Sequence, residues 1–222
     1  MKTVEQYRIF EYTMPGTRAE GTFRQEGTVQ TVSGYACGDG KIAVRFMPET
    51  TGRWEYRIVF DGGETVGSIL CTPAAPENHG PVRAKGMHME YADGTRFLSF
   101  GTTCYGWIHQ PDELRRQTLR SLAASPFNKI RMLLFPKFMP YNNTEPVMFP
   151  FQKNEAGEWD VSKPNYAFWD DLDTQLLALD ELGIEADLIL FHPYDRWGFS
   201  AMNREQDDLY WNYVIARFSA YR

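Results

Sequence analysis

The sequence predicts a β-sandwich followed by a parallel α/β region, and three observations lead there. Residues 1–75 break into short β-rich segments separated by glycine and turn pairs. A proline-rich polar stretch, 72–81, interrupts the chain. Beyond it, apolar strand-like segments alternate with helical ones.

In the first part, segments 7–12, 21–23, 28–35, 41–47, 54–60 and 65–71 read as strands, being rich in Val, Ile, Thr, Tyr, Phe and Trp. Asp39-Gly40 and Asp61-Gly62 are turn dipeptides. Strands at this spacing predict an antiparallel, immunoglobulin-like sandwich over residues 1–75. Residues 76–222 form the second domain. It opens with a hairpin, 82–91 and 97–100, around Ala92-Asp93-Gly94-Thr95.

The alternation then begins. Segment 97–103 is a strand, and Pro111-Asp112-Glu113 opens a helix, with acids placed to complement the helix dipole. Segment 129–135 is the second strand. After a long loop, 166–182 is a helix with Phe168, Leu172, Leu176 and Leu179 on one face and Gly183 at its end. Segment 186–191 is a third strand, apolar as expected when both faces are covered, and 207–221 is a third helix. Strand–helix alternation of this kind gives right-handed βαβ units and a parallel sheet. Three such units cannot close a barrel.

Composition narrows the function. Hydrophobic residues make up 43% and charged residues 23%, an ordinary globular balance. The net charge of −6 leaves no basic stripe to neutralise phosphates, which argues against a nucleic-acid partner. No apolar run is long enough to span a bilayer, and the start lacks the apolar core of a signal peptide. With Cys37, Cys71 and Cys104 widely spaced and odd in number, a cytoplasmic location with reduced thiols is expected. The histidines show no metal-ligand spacing and no phosphate-cradling glycine motif occurs, so no metal or cofactor is expected.

Function in parallel α/β folds gathers at the carboxyl ends of strands. Three clusters fall there: Gly101 to Gln110, Phe135 to Asn143, and His192 to Phe199. All mix aromatic rings with hydrogen-bonding groups, the combination that a sugar's C–H faces and hydroxyls require. Packing of loops onto the sheet is the ordinary reading for any one of these residues. The candidate substrate-binding residues are Trp107, His109, Arg131, His192, Tyr194, Asp195 and Trp197. Arg131 stands among Ile130, Met132, Leu133 and Leu134, where a guanidinium is costly without a carboxylate partner. Cys104 has no evident His–acid partner and reads as a structural thiol.

Together these segments resemble cellulase-like, endoglucanase-type glycoside hydrolases. The resemblance rests on Gly34-Tyr35, the run from Gly38-Asp39-Gly40 to Phe46-Met47-Pro48, Gly52-Arg53-Trp54-Glu55-Tyr56, Asn78-His79-Gly80-Pro81-Val82, Phe100-Gly101-Thr102-Thr103-Cys104-Tyr105-Gly106-Trp107-Ile108-His109-Gln110, Phe127-Asn128-Lys129-Ile130-Arg131 and Phe191-His192-Pro193-Tyr194-Asp195. It implies an amino-terminal sandwich before a (β/α)8 TIM-type barrel, of which this chain holds the first three βα units. It implies a carbohydrate substrate and a retaining mechanism. Arg131 is then the residue that hydrogen-bonds the nucleophilic carboxylate, His192 lines the subsite of the scissile sugar, and Trp107 and Trp197 are stacking platforms. Retaining glycosidases use two carboxylates about 5 Å apart. The resemblance places both after later strands, beyond Arg222, so no catalytic residue is assigned and the chain alone is expected to be inactive. Asp195 is the best local acid, but Arg196 beside it suggests an ion pair. The alternatives are a non-catalytic carbohydrate-binding or assembly protein, or a sandwich that only supports the other domain.

Overall fold

The computed structural model describes residues 1–140 and 145–222. Tyr141, Asn142 and Asn143 of the second strand-end cluster lie outside the described residues. The chain divides into two compact units, Met1–Leu98 with Trp211–Arg222, and Ser99–Tyr210. The first unit thus runs past the polar linker at 72–81 and includes the hairpin segment that follows.

The first unit is a two-sheet sandwich. Its strands are β1 (Lys2–Glu5), β2 (Phe10–Pro15), β3 (Ala19–Gln25), β4 (Thr28–Ser33), β5 (Tyr35–Gly38), β6 (Lys41–Phe46), β7 (Gly52–Phe60) and β8 (Gly63–Thr72). One sheet has the order β1-β8-β7-β3-β4 and the other β2-β6-β5. Pairing is antiparallel except that β1 runs parallel to β8, a departure from the all-antiparallel expectation. The single strand expected over 7–12 gives way to a turn through Tyr7, whose φ is +65°, between β1 and β2. Alternation places Phe23, Trp54, Ile58 and Ile69 inward from one sheet and Phe10, Met14, Ile42, Val44 and Phe46 from the other. Phe23 and Phe46 stack across the core with centroids 4.0 Å apart. Each such side chain, fully buried, contributes about 1.5–3 kcal/mol. The hairpin strands β9 (Val82–Lys85), β10 (His88–Tyr91) and β11 (Arg96–Phe97) form a small separate sheet.

The second unit contains a parallel sheet of three neighbouring strands, β12 (Gly101–Thr103), β13 (Lys129–Leu133) and, after an inserted hairpin, β16 (Glu185–Ile189). Helix α1 (Asp112–Ala123) follows β12. The hairpin strands β14 (Phe151–Lys153) and β15 (Trp159–Pro164) precede helix α2 (Tyr166–Glu181), and helix α3 (Arg204–Phe218) follows β16. The division between the compact units falls within α3, after Tyr210. The apolar face read for α2 is the buried one: Phe168, Leu172, Leu176 and Leu179 are all in the core, with Trp169 beside them. Its end is a Schellman turn. Gly183, at φ +68°, donates to Asp180 O at 2.9 Å, and Ile184 donates to Leu179 O at 2.9 Å. The architecture is therefore a sandwich joined to a partial α/β region. Among the described residues, no helix is long and apolar enough to cross a membrane.

Candidate functional site

Parallel pairing sets Thr103, Arg131 and Asp187 side by side across β12, β13 and β16. Ile130 and Met132 are buried, whereas Arg131, on the other face, has a half-exposed side chain. Its Nε donates to Asp187 Oδ2 at 2.8 Å, and Lys129 Nζ reaches the same oxygen at 3.3 Å. The neighbouring strand thus supplies Arg131 with a carboxylate, from a position expected to be part of an apolar run, although a half-exposed guanidinium does not require one. Because this pair is open to solvent, it adds no more than about 1 kcal/mol to stability. Its main effect is to hold the guanidinium in place.

The strand-end loops are tied together by backbone hydrogen bonds. Leu133 N donates to Tyr105 O, Leu134 N to Ile189 O and Phe138 N to Tyr194 O, each at 3.0 Å. His192 completes the joint. Its Nε2 lies 3.0 Å from Phe135 O, and Tyr194 N donates to its Nδ1 at 3.2 Å. An acceptor Nδ1 requires the proton to sit on Nε2, where it meets the carbonyl. Both nitrogens are therefore engaged by backbone, and the ring lies over Tyr194 with centroids 6.1 Å apart.

Lys137 brings the three loops to one point. Its Nζ stands 4.6 Å from the ring centroid of Tyr105 and 5.1 Å from that of Tyr194, and both rings are partly exposed. Neither Lys137 nor Tyr105 was singled out from sequence. The available signal was that each lies just past a strand end.

Trp197 is half-buried. Its indole N–H donates to Glu145 Oε1 at 2.9 Å, the Arg196 guanidinium lies 5.0 Å from its ring, and Trp159 Nε1 donates to its carbonyl at 2.8 Å. Arg196 pairs with Glu145, not with the adjacent Asp195.

Two predicted ligand contacts are corrected by this geometry, and a third residue is engaged by its own loop. Trp107 is buried, its Nε1 donating to Arg115 O at 3.3 Å, because a 3-10 turn over Trp107–His109 rotates it inward onto α1. It presents no stacking surface. His109 is 5% exposed and stacks on Phe168 at 5.8 Å. Neither of its ring nitrogens makes a hydrogen bond of good geometry. Burial pushes its titration down to about 4, opposed in part by the nearby backbone of Leu133 and Leu134. Asp195 accepts backbone N–H bonds from Trp197 at 2.7 Å, Gly198 at 3.0 Å and Ser200 at 2.7 Å. It builds its own loop.

Burial also pushes the Cys104 thiol up, the wrong direction for a nucleophile. Among the described residues, no group of His, Cys, Asp and Glu converges as metal ligands.

An α/β protein with aromatic and polar groups gathered at adjacent strand ends is the class this geometry defines. The chain belongs to the apiosidase-like family, whose catalytic-domain model matches residues 83–222. Residues 3–61 match a domain of unknown function, DUF5060. The chain is similar to a "putative glycoside hydrolase" from Bacteroides vulgatus, with 36% identity and a TM-score of 0.95 over 100% of this chain and 48% of that one. It thus spans about half the length of that relative. A family 5 glycoside hydrolase from the same species aligns at 15% identity and a TM-score of 0.43, over 64% of this chain and 31% of that one. That likeness is too slight to bear on function. No curated protein matches. The glycoside-hydrolase resemblance read in the sequence holds at the level of family.

Proposed function

We propose that this chain is the amino-terminal part of a retaining β-glycosidase of endoglucanase type that acts on an oligo- or polysaccharide. In this reading, β12, β13 and β16 with their helices are the first three βα units of a (β/α)8 barrel. The observation that carries it is the convergence of three consecutive strand-end loops on Tyr105, Lys137 and Tyr194. A sugar ring needs such aromatic faces and polar neighbours. Arg131, His192, Tyr194 and Trp197 form the sugar-binding side, with His192 acting by fixing the Tyr194 backbone. Residues 1–75 and 76–222 are proposed as its two functional domains, a sandwich and the first part of a barrel. The family's name makes an apioside a substrate to test beside β-glucans.

The catalytic carboxylates are proposed to come from outside these 222 residues. Three acids near the strand ends support this by their engagements: Asp195 with backbone N–H groups, Glu145 with Arg196 and Trp197, and Asp187 with Lys129 and Arg131. The test is turnover of aryl β-glycosides and of an apioside by the 222-residue chain, alone and joined to the remainder that its relative possesses. Turnover by the longer protein only, with retained anomeric configuration, is expected. Hydrolysis by the chain alone, abolished by Asp195→Asn, contradicts the reading.

The sandwich is proposed to act as support. Its aromatic residues Phe10, Phe23, Phe46 and Trp54 are buried in its core, and its large exposed hydrophobic residues are Met1, Val29, Val59 and Val66, which offer no ring for stacking.

A further inference from the structure

Lys137 is unusual among the cations near the strand ends. Arg131 holds Asp187, and Arg196 holds Glu145. Among the described residues no carboxylate lies within ion-pair distance of Lys137, although the chain carries 29 acidic residues and a net charge of −6. Residues 141–144, Tyr-Asn-Asn-Thr, contain no acid either. In place of a carboxylate, Lys137 has the faces of Tyr105 and Tyr194 at 4.6 and 5.1 Å. A ring quadrupole attracts an ammonium without cancelling its charge. The rings therefore hold the group in position while its N–H donors remain available to an acceptor.

The backbone that carries the rings is anchored. Tyr105 O accepts from Leu133 N, Tyr194 O accepts from Phe138 N, and Tyr194 N donates to His192 Nδ1. The ammonium, on the loop after β13, is thus preorganised between two partly exposed aromatic surfaces on the loops after β12 and β16. If packing alone were required, an apolar residue at 137 would fill the space between two tyrosines without burying part of a charge.

We infer that Tyr105, Lys137 and Tyr194 form a subsite for a sugar ring bearing an anionic group, either the carboxylate of a hexuronate or a sulfate ester. The inference rests on the sugar-binding reading above and adds the charge of the substrate to it. One tyrosine face takes the C–H surface of the ring, and Lys137 donates to the anionic oxygens.

The test is titration calorimetry of the full chain at low salt with three probes that share one backbone: cellotriose, its C6-carboxylated analogue and its 6-O-sulfated analogue. Wild-type protein is expected to bind at least one charged probe about tenfold more tightly than cellotriose, the effect of one charge-assisted hydrogen-bonded contact. The charged probe that binds more tightly identifies the source of the anion. Lys137→Met should reduce the difference below about twofold, and Lys137→Arg should retain part of it. Equal wild-type affinity for neutral and charged probes overturns the inference and leaves the sugar site standing. A preference that persists in Lys137→Met also overturns it. Binding of none of the three overturns the sugar-site reading and this inference together. The wild-type comparison, repeated at high salt where the preference must shrink, decides the matter even if Lys137→Met does not fold.

Discussion

His109 sits 5% exposed against Phe168, with neither ring nitrogen in a hydrogen bond of good geometry. Such a group stays neutral in the fold, and burial lowers its titration to about 4 from an ordinary 6.5. As pH falls below about 6.5 the unfolded chain takes up this proton first. The contribution is therefore complete above about 6.5, falls between about 6.5 and about 4, and is gone below. Over that window it amounts to about 3 kcal/mol. His109→Leu, similar in volume and lacking the two polar atoms, should be at least as stable as wild type at pH 7. The difference between the two proteins in urea midpoint should widen in favour of the variant on acidification to pH 4. A difference independent of pH contradicts the assignment. His109 was expected in the site because it follows a strand end, and it does follow β12. Which way the side chain turns was decided by the 3-10 turn over Trp107–His109, whose geometry leaves no pattern in three residues. Arg131 was more legible, since a charge inside an apolar strand requires a partner, but naming Asp187 required the register between strands.

At the scale of elements, α2 could be read almost whole, because sixteen residues repeat the 3.6-residue period and Gly183 marks the stop. The hairpin β14–β15 was read as loop. Its strands are short and polar, with only Phe151, Val161 and Pro164 buried, too few to show alternation. The contact between α1 and α2 also lay beyond sequence. Arg115, on α1, is 6% exposed and bonds both Asp112 and, across the gap, Asp171 of α2. Removing Asp171 leaves the buried guanidinium with the exposed Asp112 as its remaining carboxylate, so Asp171→Ala should lower stability by about 1–3 kcal/mol. Replacing both, as Arg115→Met with Asp171→Leu, should recover most of that loss. A double-mutant cycle in urea in which the two single changes simply add would show that the pair does not couple the helices.

At the scale of the whole molecule, the change of character near residue 75 marked a sandwich and an α/β region. The compact units draw their boundary in a different place, since the first takes in the hairpin and the end of α3. Composition and turn signals report where the chain changes kind. They do not report which later segment folds back onto which. Sugar is proposed to bind at the carboxyl ends of the parallel strands, and not to the sandwich. Amide chemical-shift mapping of the 222-residue chain, titrated with the oligosaccharide that binds most tightly, tests this most directly. The predicted result is a set of perturbed amides centred on Tyr105, Lys137, Tyr194 and Trp197, with residues 1–75 unmoved. Perturbations confined to the sandwich, or absent at those four positions while the sugar binds, would contradict it.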